Sequence, residues 1–190
     1  MYLNDYRFTN YYIEYDPSTG KKIKETIYNS YQQSPKNIKC MNEFDKYTEK
    51  KIKSTGFGTG GKKICIIEYE PSTEKIIKST HFNSNEKISS IYIYEYDPST
   101  GKKIKDTCFR SDGKTIECIT EYDLSTEKKI KDTCFRSDET IECIAEYDPS
   151  TEKEIKQTFF RSDKTIEFIT KYDPSTGKKT NYNPDGSIVK

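Results

Sequence analysis

The sequence has no tryptophan, a single alanine (Ala145), a single valine (Val189) and a single histidine (His81) in 190 residues. No apolar run approaches the roughly 18–20 residues that a membrane-spanning helix needs. The opening residues MYLNDYRFTN contain no apolar core of a secretory leader, so no signal peptide is visible. The net charge of +1 excludes a strong whole-protein field. Six cysteines are present, yet no C-x-x-C pair, and with only His81 available a zinc site lacks its usual spacing. Sustained i, i+3, i+4, i+7 apolar spacing with caps is also missing, which argues against helices.

What remains is polar but not a disordered composition. Apolar residues make up 32% of the chain and charged residues 33%, with mean hydropathy −0.97. That is too polar for a thick globular core. Aromatics nonetheless reach 13%, and with frequent isoleucine they favour strands.

These residues are arranged in a repeat. A tyrosine or phenylalanine before an acidic turn recurs at Tyr15, Phe44, Tyr69, Tyr96, Tyr122, Tyr147 and Tyr172, with spacings of 29, 25, 27, 26, 25 and 25. A period of this size marks an array whose units bury their surfaces against their neighbours. The clearest unit has a strand over Ile116–Asp123, a turn, a strand over Lys129–Phe135 and a second turn. Asp16-Pro17-Ser18-Thr19-Gly20 recurs at Asp97–Gly101 and Asp173–Gly177. Proline presets φ there, aspartate accepts nearby N–H groups, and glycine supplies the exit. The second turn is cleanest at Asn183-Pro184-Asp185-Gly186, which suits a type I turn closed by a glycine bulge.

Comparing repeats within the chain shows which columns are fixed. Glu14, Glu43, Glu68, Glu95, Glu121 and Glu146 precede the anchor aromatic. Thr26, Thr55, Thr80, Thr107, Thr133 and Thr158 form a second column, with an aromatic two residues later. In the first strand two adjacent columns are both apolar, so neither face reads as cleanly wet or dry. The expected fold is therefore all-β: about seven β-hairpin repeats of ~25 residues over 1–190, joined into one elongated antiparallel meander, with a β-solenoid as the alternative. Residues 29–62 fit worst and read as a degenerate repeat, interrupted by Ser34-Pro35 and a glycine-rich stretch.

The same columns sort the chemical motifs. Cys118 shares a column with Tyr11, Tyr92 and Phe168, and Cys108 and Cys134 share one with Ile27, His81 and Phe159. Cysteine there behaves as a small apolar filler. Cys108 with Cys118, and Cys134 with Cys143, are the cross-strand pairs if the register allows. Gly56, Gly58 and Gly61 match G-x-G-x-x-G, but a phosphate loop needs a helix next, and Lys63–Tyr69 reads as a strand. No nucleophile–base or metal arrangement can be assembled, so an enzyme is not expected, and no cofactor or metal is assigned.

The YDPSTGKKIK…DG-x-I cycle, carried at Tyr15–Lys24, Tyr96–Lys105 and Tyr172–Lys179 and closed at Tyr182–Ile188, resembles a tandem-repeat family of unknown function from phytoplasmas, wall-less AT-rich bacterial parasites of plants. The abundance of Lys, Ile, Asn and Tyr agrees with such a genome. The resemblance implies source and architecture, not chemistry.

The functional expectation is a non-enzymatic interaction scaffold with an unknown protein partner, a host protein being one candidate. Its candidate surface comprises Tyr15, Tyr69, Tyr96, Tyr122, Tyr147 and Tyr172, then Phe82, Phe109, Phe135 and Phe160, and the lysines Lys22, Lys24, Lys103, Lys105, Lys129 and Lys131. The alternatives are polyanion binding through those lysine columns, set against their pairing with the glutamate column, and a structural region of a larger surface or toxin-like protein. Nucleic acid is not the expected partner. Self-association through sheet edges fits the fold. The compartment stays open, cytoplasmic or secreted after processing.

Overall fold

A computed structural model describes residues 10–29 and 34–189. Its fourteen strands are β1 (Tyr11–Tyr15), β2 (Lys22–Tyr28), β3 (Ile38–Phe44), β4 (Lys51–Phe57), β5 (Lys63–Tyr69), β6 (Ile76–Phe82), β7 (Ile88–Tyr96), β8 (Lys103–Phe109), β9 (Ile116–Tyr122), β10 (Lys129–Phe135), β11 (Ile141–Tyr147), β12 (Glu154–Phe160), β13 (Ile166–Tyr172) and β14 (Lys179–Tyr182). They form one open sheet in sequence order, each strand hydrogen-bonded to the next. This is a meander and not a stack of solenoid rungs. The chain divides into two compact units, residues 1–91 and 92–190, with the division inside β7.

Both turns are built from their own side chains. At the first, Asp16 Oδ1 accepts the backbone N–H groups of Ser18 and Thr19 at 2.9 and 2.8 Å and the Ser18 hydroxyl at 2.5 Å. The Gly20 N–H donates to the Asp16 carbonyl at 2.8 Å, with Gly20 at φ +70°. Where the repeat carries glutamate instead, the backbone keeps its shape: Glu49, Glu74, Glu127 and Glu152 hold φ between 58° and 60°. The carboxylate contacts, from aspartate or at one turn from Glu70, therefore accompany a left-handed residue even without glycine. The second turn at Asn183 closes as expected, with the Gly186 N–H donating to the Asn183 carbonyl at 2.9 Å and Gly186 at φ +87°.

The ladders from β1 to β6 and from β8 to β13 each carry a register shift near one end, as between Glu14 and Tyr15 or between Cys134 and Phe135, while β13–β14 carries none. Such bulges raise local twist. They isolate a central block of four paired positions that repeats along each unit. In the second unit one face carries the row Thr107, Ile119, Thr133, Ile144, Thr158 and Ile169, each directly opposite the next. Threonine alternates with a larger isoleucine on either side, so the smaller side chain is covered from both flanks. This explains why Thr107, Thr133 and Thr158 are buried at 6–7% exposure while, among the described residues, no large side chain falls below 2%. There is no thick core. Burial is spread along a row one side chain deep, and β-branched cross-strand pairs supply the cohesion.

Residues 29–62 keep this pattern in their strands. Lys53 lies opposite Glu43 and Thr55 opposite Met41. The departures sit at the second turns, where single 3₁₀ turns occupy Pro35–Asn37 and Thr59–Gly61. These turns abut: a Cβ on Gly61, already at φ +76°, would stand 2.6 Å from the Pro35 carbonyl oxygen. Only glycine fits there.

Candidate functional site

Three lysine columns follow the first turns, the second of them interrupted by Ile76 and Glu154, and each has a separate task. Lysines of the first column reach the next repeat's first turn. Lys102 Nζ donates to the carbonyls of Leu124 and Ser125 at 2.9 and 3.2 Å, Lys128 to that of Ser150 at 3.2 Å, and Lys21 to that of Tyr47.

Lysines of the second column lie over the next repeat's anchor ring. Lys22 Nζ is 4.0 Å from the Phe44 centroid, Lys51 4.6 Å from Tyr69, Lys103 3.8 Å from Tyr122 and Lys129 4.0 Å from Tyr147. Two of these are closed by an aspartate three residues on. Lys103 pairs with Asp106 at 2.9 Å while the Tyr122 hydroxyl donates to the same carboxylate at 2.8 Å. Lys129, Asp132 and Tyr147 repeat the arrangement at 2.8 and 3.0 Å. Burial pushes the Tyr122 and Tyr147 hydroxyls above the usual tyrosine range.

Lysines of the third column face the glutamate column. Lys24–Glu14, Lys53–Glu43, Lys78–Glu68, Lys105–Glu95, Lys131–Glu121 and Lys156–Glu146 span 2.7–3.1 Å. All six lysines of the sequence-derived surface are therefore engaged within the sheet. Being roughly 40% exposed, such pairs contribute little individually. Their effect is register, since a slip by one residue would set lysine against an apolar neighbour.

The ten aromatics are placed differently from a freely exposed surface. Tyr15 is 54% exposed. Tyr69, Tyr96, Tyr122, Tyr147, Tyr172, Phe82, Phe109, Phe135 and Phe160 are half-buried. Phe82 lies under Lys63 Nζ at 5.3 Å. Tyr96 and Tyr172 are pushed upward in pKa by burial.

Arginines that the sequence reading passed over complete the repeat contacts. Arg136 donates from Nη1 to the Ile141 carbonyl at 2.6 Å and from Nη2 to the Phe160 carbonyl one repeat on. Arg110 Nη2 likewise reaches the Phe135 carbonyl at 2.7 Å. Phe109-Arg110, Phe135-Arg136 and Phe160-Arg161 recur at near-constant spacing, so the signal was in the columns.

The repeat that follows these two lacks their lysine–aspartate–tyrosine set. Glu154 stands where Lys103 and Lys129 stand, and Gln157 where Asp106 and Asp132 stand. Glu154 Oε1 is buried without a hydrogen-bond partner. The double substitution Glu154→Lys with Gln157→Asp is expected to restore the set over Tyr172 and stabilise the protein by about 1 kcal/mol. A rise in the urea midpoint at unchanged slope checks this.

Between the second turns of β10–β11 and β12–β13 lies a cleft of about 460 Å³, lined by Phe135, Ile141, Phe160, Thr140, Asp138, Glu139 and Lys164. Its floor is apolar and its rim carries both charges. Elsewhere the chemical motifs are structural. The glycine-rich segment runs strand, 3₁₀ turn, strand, with no helix to cradle a phosphate. His81 is exposed on β6, its Nε2 3.3 Å from Ser79 Oγ. Among the described residues, no group of three His, Cys, Asp or Glu side chains is placed to hold a metal ion. No helix among them is long and apolar enough to cross a membrane.

A sequence profile described as "Protein of unknown function (DUF2963)" matches residues 2–56, 31–81, 57–94, 82–134 and 135–184. No curated protein is similar to the chain in sequence. Among solved structures, TarM is similar at 10% identity and TM-score 0.36, over 54% of this chain and 18% of that one. The TcdB2-TccC3-Cdc42 structure is similar at 9% identity and TM-score 0.26, over 90% of this chain and 12% of that one. The chain thus spans less than a fifth of either. A Bacteroides fragilis protein of unknown function covers 93% of this chain and 91% of its own at 9% identity and TM-score 0.15.

Proposed function

The chain belongs to DUF2963, a family of unknown function whose profile repeats along it, and from that premise we propose that it is a non-enzymatic scaffold that binds another protein. One observation carries the reading. Lys22, Lys24, Lys103, Lys105, Lys129 and Lys131 are engaged within the sheet, while the cleft at Phe135, Ile141 and Phe160 is an apolar opening rimmed by Asp138, Glu139 and Lys164. Mixed charge around an apolar floor suits a protein surface better than a uniform polyanion, which needs unpaired cations along its path. A host protein is the first partner to seek.

The test is a pull-down with the tagged chain at low and high salt, with and without nuclease, followed by the rim variant Glu139→Arg/Lys164→Glu. Both positions are exposed, so the fold tolerates the change. A discrete protein retained at high salt and weakened at least about tenfold by the variant supports the scaffold; tenfold corresponds to about 1.4 kcal/mol. Nucleic acid or anionic lipid recovered only at low salt, and indifferent to the variant, overturns it in favour of polyanion binding.

A further inference from the structure

Four cysteines of the second unit stand in one line across four strands. Cys108 of β8 lies directly opposite Cys118 of β9, Cys118 opposite Cys134 of β10, and Cys134 opposite Cys143 of β11. All four are free thiols. Directly opposed residues of an antiparallel pair have Cα atoms about 4.5 or 5.5 Å apart. Both values fall within the span of about 4.4–6.8 Å that a disulfide bridges. We propose that this row is an oxidation site that closes into two cross-strand disulfides, Cys108–Cys118 and Cys134–Cys143.

The row allows few outcomes. Two bonds can form in only one way, because joining the inner pair Cys118–Cys134 strands the outer thiols. The oxidant is a low-molecular-weight disulfide such as oxidised glutathione. A protein thiolate attacks one of its sulfurs and releases one small thiolate, giving a mixed disulfide. The opposed cysteine then displaces the second small thiol and the cross-strand bond forms. Each pair thus loses two electrons and two protons, and each oxidant molecule becomes two thiols. Burial pushes Cys118 and Cys143 up to about 12. Exchange is therefore slow at neutral pH and is followed to completion. The first unit supplies an internal control. Cys40 and Cys65 sit on either side of Gly56 in the same kind of row. At two strand spacings, about 10 Å, they are beyond bridging range.

The experiment incubates the full native chain with excess oxidised glutathione, alkylates remaining thiols, and reads intact mass and a non-reduced peptide map. The expected product has lost four hydrogens, carries alkylated Cys40 and Cys65, and melts at higher temperature than the reduced chain. Cys118→Ser should leave only the Cys134–Cys143 bond, and Cys134→Ser only Cys108–Cys118. Full alkylation of all six thiols, a lone Cys118–Cys134 bond, stable glutathione adducts on the four cysteines of the row or intermolecular dimers would each overturn the proposal.

Discussion

Arg136→Ala is expected to lower the stability of the second unit by about 2–4 kcal/mol. The side chain donates to two main-chain carbonyls, Ile141 at the start of β11 and Phe160 at the end of β12. Hydrogen bonds from a charged donor contribute about 1.5–3 kcal/mol each, and a half-buried acceptor left unpaired adds its desolvation cost. Because the two acceptors belong to different repeats, the loss falls on the junction between them. Arg136→Lys should recover less than half, since an ammonium cannot span both acceptors as the guanidinium fork does. Arg161 offers the contrast: it is exposed and donates to Ile166 at 2.8 Å, so Arg161→Ala should cost about 0.5–1.5 kcal/mol. Urea unfolding of the three variants gives the ranking directly. Equal losses at 136 and 161 would show that the contact across repeats contributes nothing.

Acid should unfold the chain over a narrow interval between about pH 4 and pH 2. Asp16, Asp97, Asp123, Asp148 and Asp173 at the first turns, and Asp112 at a second turn, are all held at about 2. The largest cause is a hydroxyl donating to the carboxylate, from Ser18 to Asp16 and from Thr115 to Asp112, for instance. Backbone N–H donors add to it. In the unfolded chain the same groups titrate near 3.9. Folded values below unfolded ones mean that the contribution is complete above about pH 4 and disappears as pH falls through 2. Since the same turn recurs, the losses coincide, and proton uptake on unfolding should be steep. Thermal midpoints by circular dichroism from pH 6 to pH 2 read this. Asp123→Asn keeps an acceptor oxygen without the titration, so its midpoint should depend less on pH than the parent's. A midpoint that stays flat to pH 2.5 would rule out the turns as the acid-sensitive element. Added salt should shift the curve little, because these are short hydrogen bonds and not spaced charges.

Turn chemistry made the fold legible. Asp-Pro-Ser-Thr-Gly and Asn-Pro-Asp-Gly prescribe hairpins on local grounds, and a hairpin at every half repeat forces a meander. The pairing of the lysine and glutamate columns was also visible, because both columns recur at fixed distance from the same turn. What stayed hidden depends on relations between repeats. The reach of Lys102 to Leu124 and of Arg136 to Phe160 spans more than twenty residues, and nothing in either local sequence names the acceptor. Which column is most buried was hidden as well. Isoleucine and the aromatics carry the hydrophobicity, yet Thr133 is more buried than Ile119, because the isoleucines flank the threonine from both sides. The bulges fix which columns align, and no residue type announces them. Within the candidate surface, Lys103 and Lys129 lie over Tyr122 and Tyr147, while Phe135 and Phe160 line the cleft.

Lys102, Lys128 and Arg136 each reach one repeat forward and stop there. No contact of this kind requires a particular total number of repeats. Excising one whole period would bring the next turn, ring and carbonyl into the place of those removed, and the same bonds would re-form. Array length is consequently free to change by whole periods, while a gain or loss of a few residues within a strand disrupts every row it crosses.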